Sequence, residues 1–258
     1  MIVFAPEKQD AIQRAVDMVR DARCAVILTG AGFSTPSGIP DFRSEGSGLW
    51  THYSPIEVAS LSAFRYDPEK FFRWLRPFAS QLFNALPNPA HISLAHLEQA
   101  GYIKTVITQN IDGLHTRAGS KNVLEVHGSL NTLTCISCYR QYKSGGFIEP
   151  YIEDGKIPLC PKCKHILKPD VILYEEQIPV QAWHKSVEAC KTCDLMLVAG
   201  TSLEVLPSAG LPMRALENGA DLIIINQTET YIDVRADILI SDDVADIIPS
   251  IAKEILGD

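Results

Sequence analysis

Four cysteines in two short pairs are the residues with the clearest chemical meaning in this sequence. Cys135-x-x-Cys138 is followed, after residues 139–159, by Cys160-x-x-Cys163. Four thiolates at this spacing supply a complete tetrahedral shell for zinc and leave no position open for a substrate. The segment around them has few apolar residues, so a metal would provide the folding energy that a core cannot. The pattern predicts one structural zinc ion.

A third pair, Cys190-x-x-Cys193, stands at the end of a helical pattern beside an apolar run. A metal site would need two further ligands, and none lies nearby in the sequence. A redox site would need an exposed thiol of low pKa. We therefore expect these two thiols to be small buried core groups.

A glycine loop follows the apolar run of residues 25–28. Gly30 and Gly32 form the G-x-G that lets a backbone approach a phosphate, but the sixth position is Thr35 instead of glycine. Pro36 and Pro40 then occupy positions where a dinucleotide-binding helix would continue. Because proline disrupts a helix interior, we expect the first turn to end early. The residues that follow are predicted to form a mobile segment carrying Asp41, Phe42 and Arg43.

Three further apolar runs, residues 103–108, 194–199 and 221–225, also end in polar residues. Such runs separated by helical stretches indicate an α/β fold, a parallel sheet covered by helices on both faces. Ligands bind beyond the carboxyl ends of the strands in these sheets. The side chains expected at that edge are Gln109, Asn110, Asp112, Gly200, Thr201, Ser202, Asn226 and Gln227. Asn110 or Asp112 would also serve as a simple helix cap.

His127 follows a short apolar strand and precedes Gly128, which permits a close approach of the backbone. A lone histidine is more often structural than catalytic. At the same edge of the sheet, however, a neutral imidazole would act as a base near pH 7. His115 is the weaker candidate and is as readily explained by packing.

The composition limits the class of protein. A net charge of −8 argues against nucleic acid as a partner and favours basic ligands or lysine-rich segments. No apolar run reaches the length of a membrane span, and the first residues do not resemble a signal peptide, so we expect a cytoplasmic protein. Residues 39–87 are rich in aromatic and helix-forming residues and predict a helical insert. Residues 131–168, with the four cysteines, predict a second insert.

Taken together, these residues resemble the sirtuins, the NAD-dependent protein lysine deacylases. The matching blocks are "GAGFSTPSGIPDFR", "PNPAH", "TQNIDGLHTRAGS", "LEVHGSL", the two cysteine pairs, "KPDVILYEE", "GTSLEVLPSA" and "IIINQTET", in the family's order. The resemblance implies a Rossmann-like, doubly wound parallel sheet as a large domain. That domain would comprise residues 1–38, 88–130 and 169–258. The inserts 39–87 and 131–168, the second a zinc ribbon, would form a small domain.

The resemblance also implies the roles of individual residues. NAD would contact Gly30, Ala31, Gly32, Thr35, Phe42, Arg43, Gln109, Ile111, Gly200, Thr201, Ser202, Asn226, Gln227 and Val244. Asn110, Ile111 and Asp112 would take the carboxamide, and His127 would be the general base. The acyl oxygen would attack C1′ of the nicotinamide ribose, and nicotinamide would leave. His127 would then deprotonate a ribose hydroxyl, which leads to free lysine and O-acyl-ADP-ribose.

The acylated lysine would enter between two peptide-binding loops, residues 171–176 and 204–206, with Ile172, Tyr174, Glu176 and Val205 as contacts. This chain has Tyr174-Glu175-Glu176 where the family usually has Phe-Gly-Glu, and Lys164-His165 where glycines are usual. The first departure affects the backbone of the peptide loop, and the second predicts a local change of turn. Leu75 and Phe78 stand where members that prefer acidic acyl groups carry Tyr and Arg, so we expect acetyl or other apolar acyl groups.

Other functions use parts of the same pattern. A mono-ADP-ribosyltransferase would share the cleavage of NAD but pass the product to another acceptor. A dehydrogenase conflicts with Pro36, Pro40 and the zinc insert. A non-enzymatic zinc-ribbon or NAD-binding module would not need so many polar groups at the sheet edge. The expected partners are acetylated lysine-containing proteins or peptides, without nucleic acid or membrane, and the expected oligomeric state is a monomer.

Overall fold

A computed structural model of the chain describes residues 4–41 and 54–257. Phe42 and Arg43, with the rest of the segment predicted to be mobile beyond Asp41, lie outside these residues. Within the described residues, no helix is both long and apolar enough to cross a membrane.

Ten helices and nine strands are found in the described residues. The helices are α1 (Pro6–Asp21), α2 (Pro55–Val58), α3 (Leu61–Tyr66), α4 (Pro68–Asn84), α5 (Pro89–Gln99), α6 (Leu114–Ala118), α7 (Gly145–Asp154), α8 (Val180–Thr192), α9 (Leu211–Glu217) and α10 (Val244–Leu256). The strands are β1 (Ala25–Thr29), β2 (Ile103–Thr108), β3 (Val123–Glu125), β4 (Gly128–Cys135), β5 (Gln141–Lys143), β6 (Leu167–Val171), β7 (Leu195–Ala199), β8 (Asp221–Ile225) and β9 (Ile238–Ile240).

Six strands form a parallel sheet in the order β3-β2-β1-β7-β8-β9. The predicted strands 103–108 and 221–225 have the expected bounds, and the third begins one residue later than expected, at Leu195. The chain runs outward in both directions from β1 and β7, so the loops after these two strands diverge and open a crevice between them. This arrangement confirms the Rossmann-like, doubly wound sheet.

Helices cover both faces of the sheet, and its central strands are therefore buried throughout. Alternate residues of β1 show this: Ala25 and Ile27 pack with α1, α5 and α10, whereas Val26 and Leu28 pack with α8 and α9. The two apolar clusters hold the strands flat against their helices. The carboxyl ends of the strands remain uncovered at one edge, where the site lies.

Strands β5, β4 and β6 form a second, antiparallel sheet, which carries the four paired cysteines. Its small core comprises Leu133, Cys135, Cys160 and Leu167. Strand β4 spans the predicted boundary at residue 131, and β6 spans the one at 168–169. The pairing of β4 with β6 begins at Gly128 and Val171, beside the larger sheet. These two proposed domain boundaries therefore lie within paired strands.

Helix α4 is joined to α7 of the cysteine-containing segment by polar contacts and aromatic packing. The Arg76 guanidinium donates hydrogen bonds to the carbonyl oxygens of Ile152 and Glu153, at 2.9 and 2.7 Å. The Tyr151 hydroxyl donates to the carbonyl oxygen of Phe72, and the two rings pack edge to face. These contacts fix the face of α4 that lines the cavity described below.

Candidate functional site

A cavity of about 750 Å³ lies beyond the carboxyl ends of β1, β2, β7 and β8. Its walls include the glycine loop, the polar residues after the strands, His127, both predicted peptide loops and one face of α4. Most of the predicted site residues line it, namely Ala31, Gly32, Thr35, Gln109, Asn110, Ile111, His127, Ile172, Tyr174, Glu176, Gly200, Thr201, Ser202, Val205, Asn226, Gln227 and Val244. Gly30 and Asp112 lie immediately behind the wall.

The glycines of the first loop are required by contact between two loops of the protein. Gly32 N donates to the carbonyl oxygen of Gly200 at 2.9 Å. A Cβ atom on Gly30 would lie 2.6 Å from Cβ of Thr201, and one on Gly200 would lie 2.4 Å from the backbone nitrogen of Phe33. Gly200 also has a φ of +63°. The glycine pattern therefore lets the loops after β1 and β7 touch, and it places both backbones at the mouth of the crevice.

The two prolines have the predicted effect on the first turn. After the glycine loop, the chain forms two short 3₁₀ turns, Ala31–Phe33 and Thr35–Ser37, where a longer α-helix would otherwise begin. Pro36 lies within the second turn, which ends at Gly38 with a φ of +82°.

Asn110 and Asp112 are held by the glycine loop through Ser34. The Asn110 amide donates to the carbonyl oxygen of Gly30 at 2.9 Å and to Ser34 Oγ at 3.1 Å. Ser34 Oγ in turn donates to Asp112 Oδ2 at 2.8 Å, and Leu114 N donates to Asp112 Oδ1. Burial raises the pKa of Asp112, against these hydrogen bonds. Asp112 thus accepts from the first residue of α6 and supports Asn110 through Ser34, and it is not among the residues that line the cavity.

His127 is oriented by its Nδ1 atom, which lies 3.1 Å from the carbonyl oxygen of Gln109. A carbonyl oxygen only accepts hydrogen bonds, so Nδ1 carries the proton of the neutral ring and Nε2 keeps a lone pair. Burial lowers the pKa of His127, an effect that the Gln109 contact partly opposes. The ring is therefore neutral at pH 7 and has a basic nitrogen at the cavity wall.

The loop of residues 171–176 is fixed by its own carboxylates. Glu176 Oε2 accepts from Leu173 N at 2.9 Å and forms an ion pair of 2.8 Å with the poorly exposed Lys168. Glu175 has a φ of +72°, in the left-handed region that favours glycine, and its carboxylate accepts from Ser62 N at 2.9 Å. The loop thus keeps the shape of a glycine-containing turn, and both carboxylates contact the protein itself.

The opposite end of the cavity is formed by residues after β8 and at the start of α10. Asn226 donates to the carbonyl oxygen of Thr228 at 2.7 Å, which fixes the turn after β8. Asp243 caps α10 by accepting from Ala245 N, and Gln227 Nε2 lies 3.4 Å from the same carboxylate. Val244 adds an apolar surface. This end offers amide groups and one flat apolar side, which suits a nucleoside.

The sulfur atoms of Cys135, Cys138, Cys160 and Cys163 lie within 4.8 Å of one another. The pairs Cys135–Cys163 and Cys138–Cys160 are separated by 3.4 and 3.7 Å. A tetrahedral zinc ion with Zn–S bonds of about 2.3 Å requires sulfur separations of about 3.8 Å, so the cluster fits one zinc ion. The cluster lies outside the cavity, as expected for a structural metal.

Cys190 and Cys193 are both buried against the larger sheet. Burial raises the pKa of both thiols to about 12. Thiols of such high pKa are poor nucleophiles and poor metal ligands, in agreement with the prediction of core groups.

Several residues around the site were not predicted from the sequence. Ser34 connects Asn110 with Asp112, and Lys168 holds Glu176. Phe71 and Trp74 line the cavity with Leu75 and Phe78. The spacing of these four positions along one face of α4 was a readable signal for a shared apolar surface. His115 packs beside Phe33, and its Nε2 lies 2.9 Å from Thr29 Oγ1, so the packing interpretation is the better one.

The model of the Sir2 family matches residues 30–207 of this chain. A curated relative from Archaeoglobus fulgidus, "NAD-dependent protein deacylase 2", is 43% identical over 96% of this chain and 97% of its own length. The chain belongs to the Sir2 family, the sirtuins. A second relative, "NAD-dependent protein deacetylase" of Sulfurisphaera tokodaii, is 41% identical over 93% of this chain and 94% of its own length.

Solved sirtuin structures share the fold described above. The structure entitled "Structural Basis for the Mechanism and Regulation of Sir2 Enzymes" superposes with a TM-score of 0.89 at 42% identity, covering 96% of this chain and 99% of that one. The structure "Sir2-p53 peptide-NAD+" has a TM-score of 0.87 at 36% identity, with coverage of 96% and 99%. The combination of a parallel sheet, a helical part and a four-cysteine sheet is therefore the sirtuin fold.

The loop contact at Gly200 generates a first prediction for this sirtuin. Gly200→Ala forces a Cβ into backbone and requires a strained φ, so we expect a loss of about 1–3 kcal/mol in the free energy of unfolding and weaker binding of NAD. Urea denaturation and isothermal titration calorimetry measure the two effects. Gly146→Ala is the matched control, because a Cβ there meets open space. Equal behaviour of the two variants would contradict the role of the loop contact.

The cysteine cluster generates a second prediction. The purified protein should contain one zinc ion per chain by elemental analysis, and Cys160→Ser should abolish that zinc and unfold the smaller sheet. Cys190→Ser should keep the zinc, because that thiol is buried elsewhere. Full zinc retention in Cys160→Ser would show that the cluster is not the metal site.

Proposed function

We propose that this protein removes acetyl and other uncharged, apolar acyl groups from protein lysines in an NAD-dependent reaction. The products are nicotinamide, O-acyl-ADP-ribose and free lysine. The names of the curated relatives support this function, and one observation in the structure carries it. A single cavity joins the glycine loop and the strand-end residues to His127 and to the two peptide loops. A nucleotide and a peptide would therefore meet beside one basic nitrogen.

The residues at the sheet edge fit NAD as the co-substrate. When bound, NAD supplies a ribose carbon from which nicotinamide can leave. Thr201 and Ser202 would bind its phosphates through their hydroxyl groups, and Gly32 and Gly200, whose N–H groups bond within the protein, would let the phosphates approach the backbone closely. Asn226 and Gln227 would hold the adenosine ribose, and Val244 would contact the adenine. The same proposal assigns Phe42 and Arg43 to the nicotinamide side.

Asn110, Ile111 and Asp112 would form the carboxamide pocket in different ways. Asn110 and Ile111 line the cavity, so they would contact the ligand directly. Asp112 would act through Ser34, since its two oxygens already accept hydrogen bonds from Ser34 and Leu114. Fixed polar groups of this kind need no reorganisation during the reaction, which favours the transition state.

His127 would act as the general base through Nε2. The O–H bond of a ribose hydroxyl breaks, its proton forms a bond to Nε2, and the electron pair stays on the hydroxyl oxygen. His127 would thus free that oxygen to bond to the acyl carbon, as the electron pair of the carbon–nitrogen double bond moves onto the lysine nitrogen. The Gln109 contact holds the proton at Nδ1, so Nε2 stays unprotonated and can accept a proton. Ile172 N donates to the His127 carbonyl at 2.8 Å, which supports a lysine channel at Ile172 beside the proposed base.

The acyl group would lie against the apolar face of α4. Phe71, Leu75 and Phe78 are all buried there, and Leu173 packs in the same cluster. Among the described residues that line the cavity, none is Lys or Arg. A carboxylate on the acyl group would thus lose its water without gaining a cation, which costs several kcal/mol in an apolar pocket.

The partners of this reaction would be acetylated lysine-containing proteins or peptides. The peptide would add as an extended strand between residues 171–176 and 204–206, with Ile172, Tyr174, Glu176 and Val205 as contacts. We include in the proposal a cytoplasmic location and a monomeric state. The reduced thiols that a four-cysteine zinc site requires are typical of a reducing compartment.

One assay tests the reaction. The zinc-loaded protein is mixed with NAD and an acetyl-lysine peptide, and both are followed by mass spectrometry. We expect equal amounts of free lysine and O-acetyl-ADP-ribose. His127→Ala should lower deacylation by at least about 100-fold, because the general base is lost, with little effect on the Kd for NAD.

Two outcomes of this assay would contradict the proposal. A peptide that gains the mass of ADP-ribose would identify a mono-ADP-ribosyltransferase instead. Deacylation that persists at the wild-type rate in His127→Ala would remove the base from the mechanism. His184→Ala is the control for loss of a histidine, because His184 lies on α8 outside the cavity lining.

The apolar acyl pocket generates a separate prediction. Butyryl-lysine and succinyl-lysine peptides have acyl chains of equal length, but only succinyl carries a carboxylate. We expect kcat/KM to be at least about tenfold lower for succinyl-lysine, because its charge would be buried without a cationic partner. Steady-state kinetics on one peptide sequence measures the ratio. Faster turnover of succinyl-lysine than of acetyl-lysine or butyryl-lysine would refute the pocket assignment.

A further inference from the structure

Ser208 lies behind His127, outside the residues that line the cavity. Its side chain is completely buried at the start of the one-turn 3₁₀ helix Ser208–Gly210. Ser208 Oγ lies 3.4 Å from His127 Nε2 and 2.8 Å from the carbonyl oxygen of Val205. A buried hydroxyl thus stands between the proposed base and one of the two peptide loops.

The protons of these groups can be assigned from their partners. The carbonyl of Gln109 takes the proton on Nδ1 of His127, so Nε2 of the neutral ring has none. The single hydroxyl proton of Ser208 goes to Val205, the shorter of its two contacts. In the resting state, therefore, no strong hydrogen bond joins Ser208 Oγ to Nε2. Ser208 Oγ keeps both of its lone pairs and can still accept hydrogen bonds.

Proton transfer to His127 changes Nε2 from an acceptor into a donor of hydrogen bonds. Once Nε2 has taken the proton of the ribose hydroxyl, the ring is a cation in a buried place and Nε2 becomes a donor. Ser208 Oγ can then share the single N–H of Nε2 with the ribose oxygen as a second acceptor, without giving up its own bond to Val205, because a hydroxyl donates one hydrogen bond and accepts two. Hydrogen bonds in catalytic sites are often long before the reaction and shorten as charge develops.

We propose that Ser208 is a positioning residue for the reaction, whose oxygen accepts a hydrogen bond from Nε2 of protonated His127 and stabilises that cation. The inference rests on the proposed function of His127 as the base. Ser208 would therefore act after nicotinamide has left, because His127 takes up a proton only in that later step. Ser208 does not touch the substrate.

A purely structural role of Ser208 predicts a different result. If its hydroxyl served only to hold Val205, its loss would loosen the peptide loop and raise the KM for the peptide. If it supports the imidazolium, its loss lowers kcat for deacylation and leaves the cleavage of nicotinamide intact. The structural role therefore predicts a change in the KM for the peptide. The positioning role predicts a change in kcat for deacylation, with nicotinamide cleavage unchanged.

The experiment compares wild type with Ser208→Ala as zinc-loaded full chains. Deacylation of an acetyl-lysine peptide and exchange of labelled nicotinamide into NAD are measured in the presence of the same peptide. We expect kcat for deacylation to fall about 10- to 100-fold, the usual effect of losing a hydrogen bond to a charged group. Nicotinamide exchange and the KM for the peptide should stay within about twofold.

Two variants provide controls for Ser208→Ala. Tyr231→Phe removes a hydroxyl that donates to the carbonyl oxygen of Ala209 at 2.8 Å, so it loosens the same turn without touching His127. We expect its deacylation to stay within about twofold of wild type. Ser208→Cys keeps a small side chain but offers sulfur, a weak acceptor, so it should lose deacylation as Ser208→Ala does. Circular dichroism checks that each variant is folded.

Three results would overturn the inference. They are unchanged deacylation in Ser208→Ala, an equal fall of deacylation and exchange, or a raised peptide KM with unchanged kcat. His127→Ala, measured in parallel, separates this failure from failure of the proposed function. If His127→Ala loses deacylation while Ser208→Ala keeps it, only the role of Ser208 is wrong. If His127→Ala keeps deacylation, the assignment of the base itself is wrong.

Discussion

The contact between the loops that follow β1 and β7 is the constraint on which the site depends. Adjacent parallel strands bring the two loops together, and Gly30, Gly32 and Gly200 let their backbones meet without side chains between them. From this point the chain diverges to the two sides of the sheet, so a crevice forms at the place where both backbones are exposed. A side chain at any of the three glycines would push the loops apart and disrupt the mouth of the crevice.

The same contact orders the polar groups around it. Gly30 accepts from the Asn110 amide, which also reaches Ser34, and Ser34 holds Asp112. Each group is thus tied to a backbone whose position is set by the loop contact. Because the polar groups are fixed before a ligand arrives, they would stabilise charge without first rearranging. Loss of the contact would therefore disturb binding and chemistry together.

The sequence predicted those features that depend on local pattern. Buried strands appear as apolar runs, so the bounds of β2 and β8 were found correctly, and the cysteine spacing predicted a cluster that the structure assembles. The ends of strands in a parallel sheet share an edge, and the polar residues after them line one cavity. The resemblance to the sirtuins supplied the roles of residues, which local pattern alone does not reveal.

What the sequence did not reveal depends on contacts between distant residues. Nothing near Ser208 in the chain shows that its hydroxyl reaches His127, and nothing near Asp112 shows that Ser34 takes one of its oxygens. The departure at Glu175 illustrates the same limit. Its carboxylate bonds to Ser62 N, which offsets part of the cost of about 1 kcal/mol for a left-handed φ in a residue with a side chain. The loop shape therefore survives the loss of the glycine.

His127 connects these separate constraints, because it lies where the two sheets meet. Strand β3 brings it to the edge of the parallel sheet, and β4 carries the chain away into the sheet of the cysteine cluster. The turn between them needs Gly128, whose φ is +76° and whose Cβ would lie 2.1 Å from the carbonyl oxygen of Asp170. The close pairing that this glycine permits lets Ile172 N reach the His127 carbonyl. His127, the proposed base, is thus held by one sheet through Gln109 and by the other through Ile172, so a zinc ion at the cysteine cluster would support its position by keeping the second sheet in register.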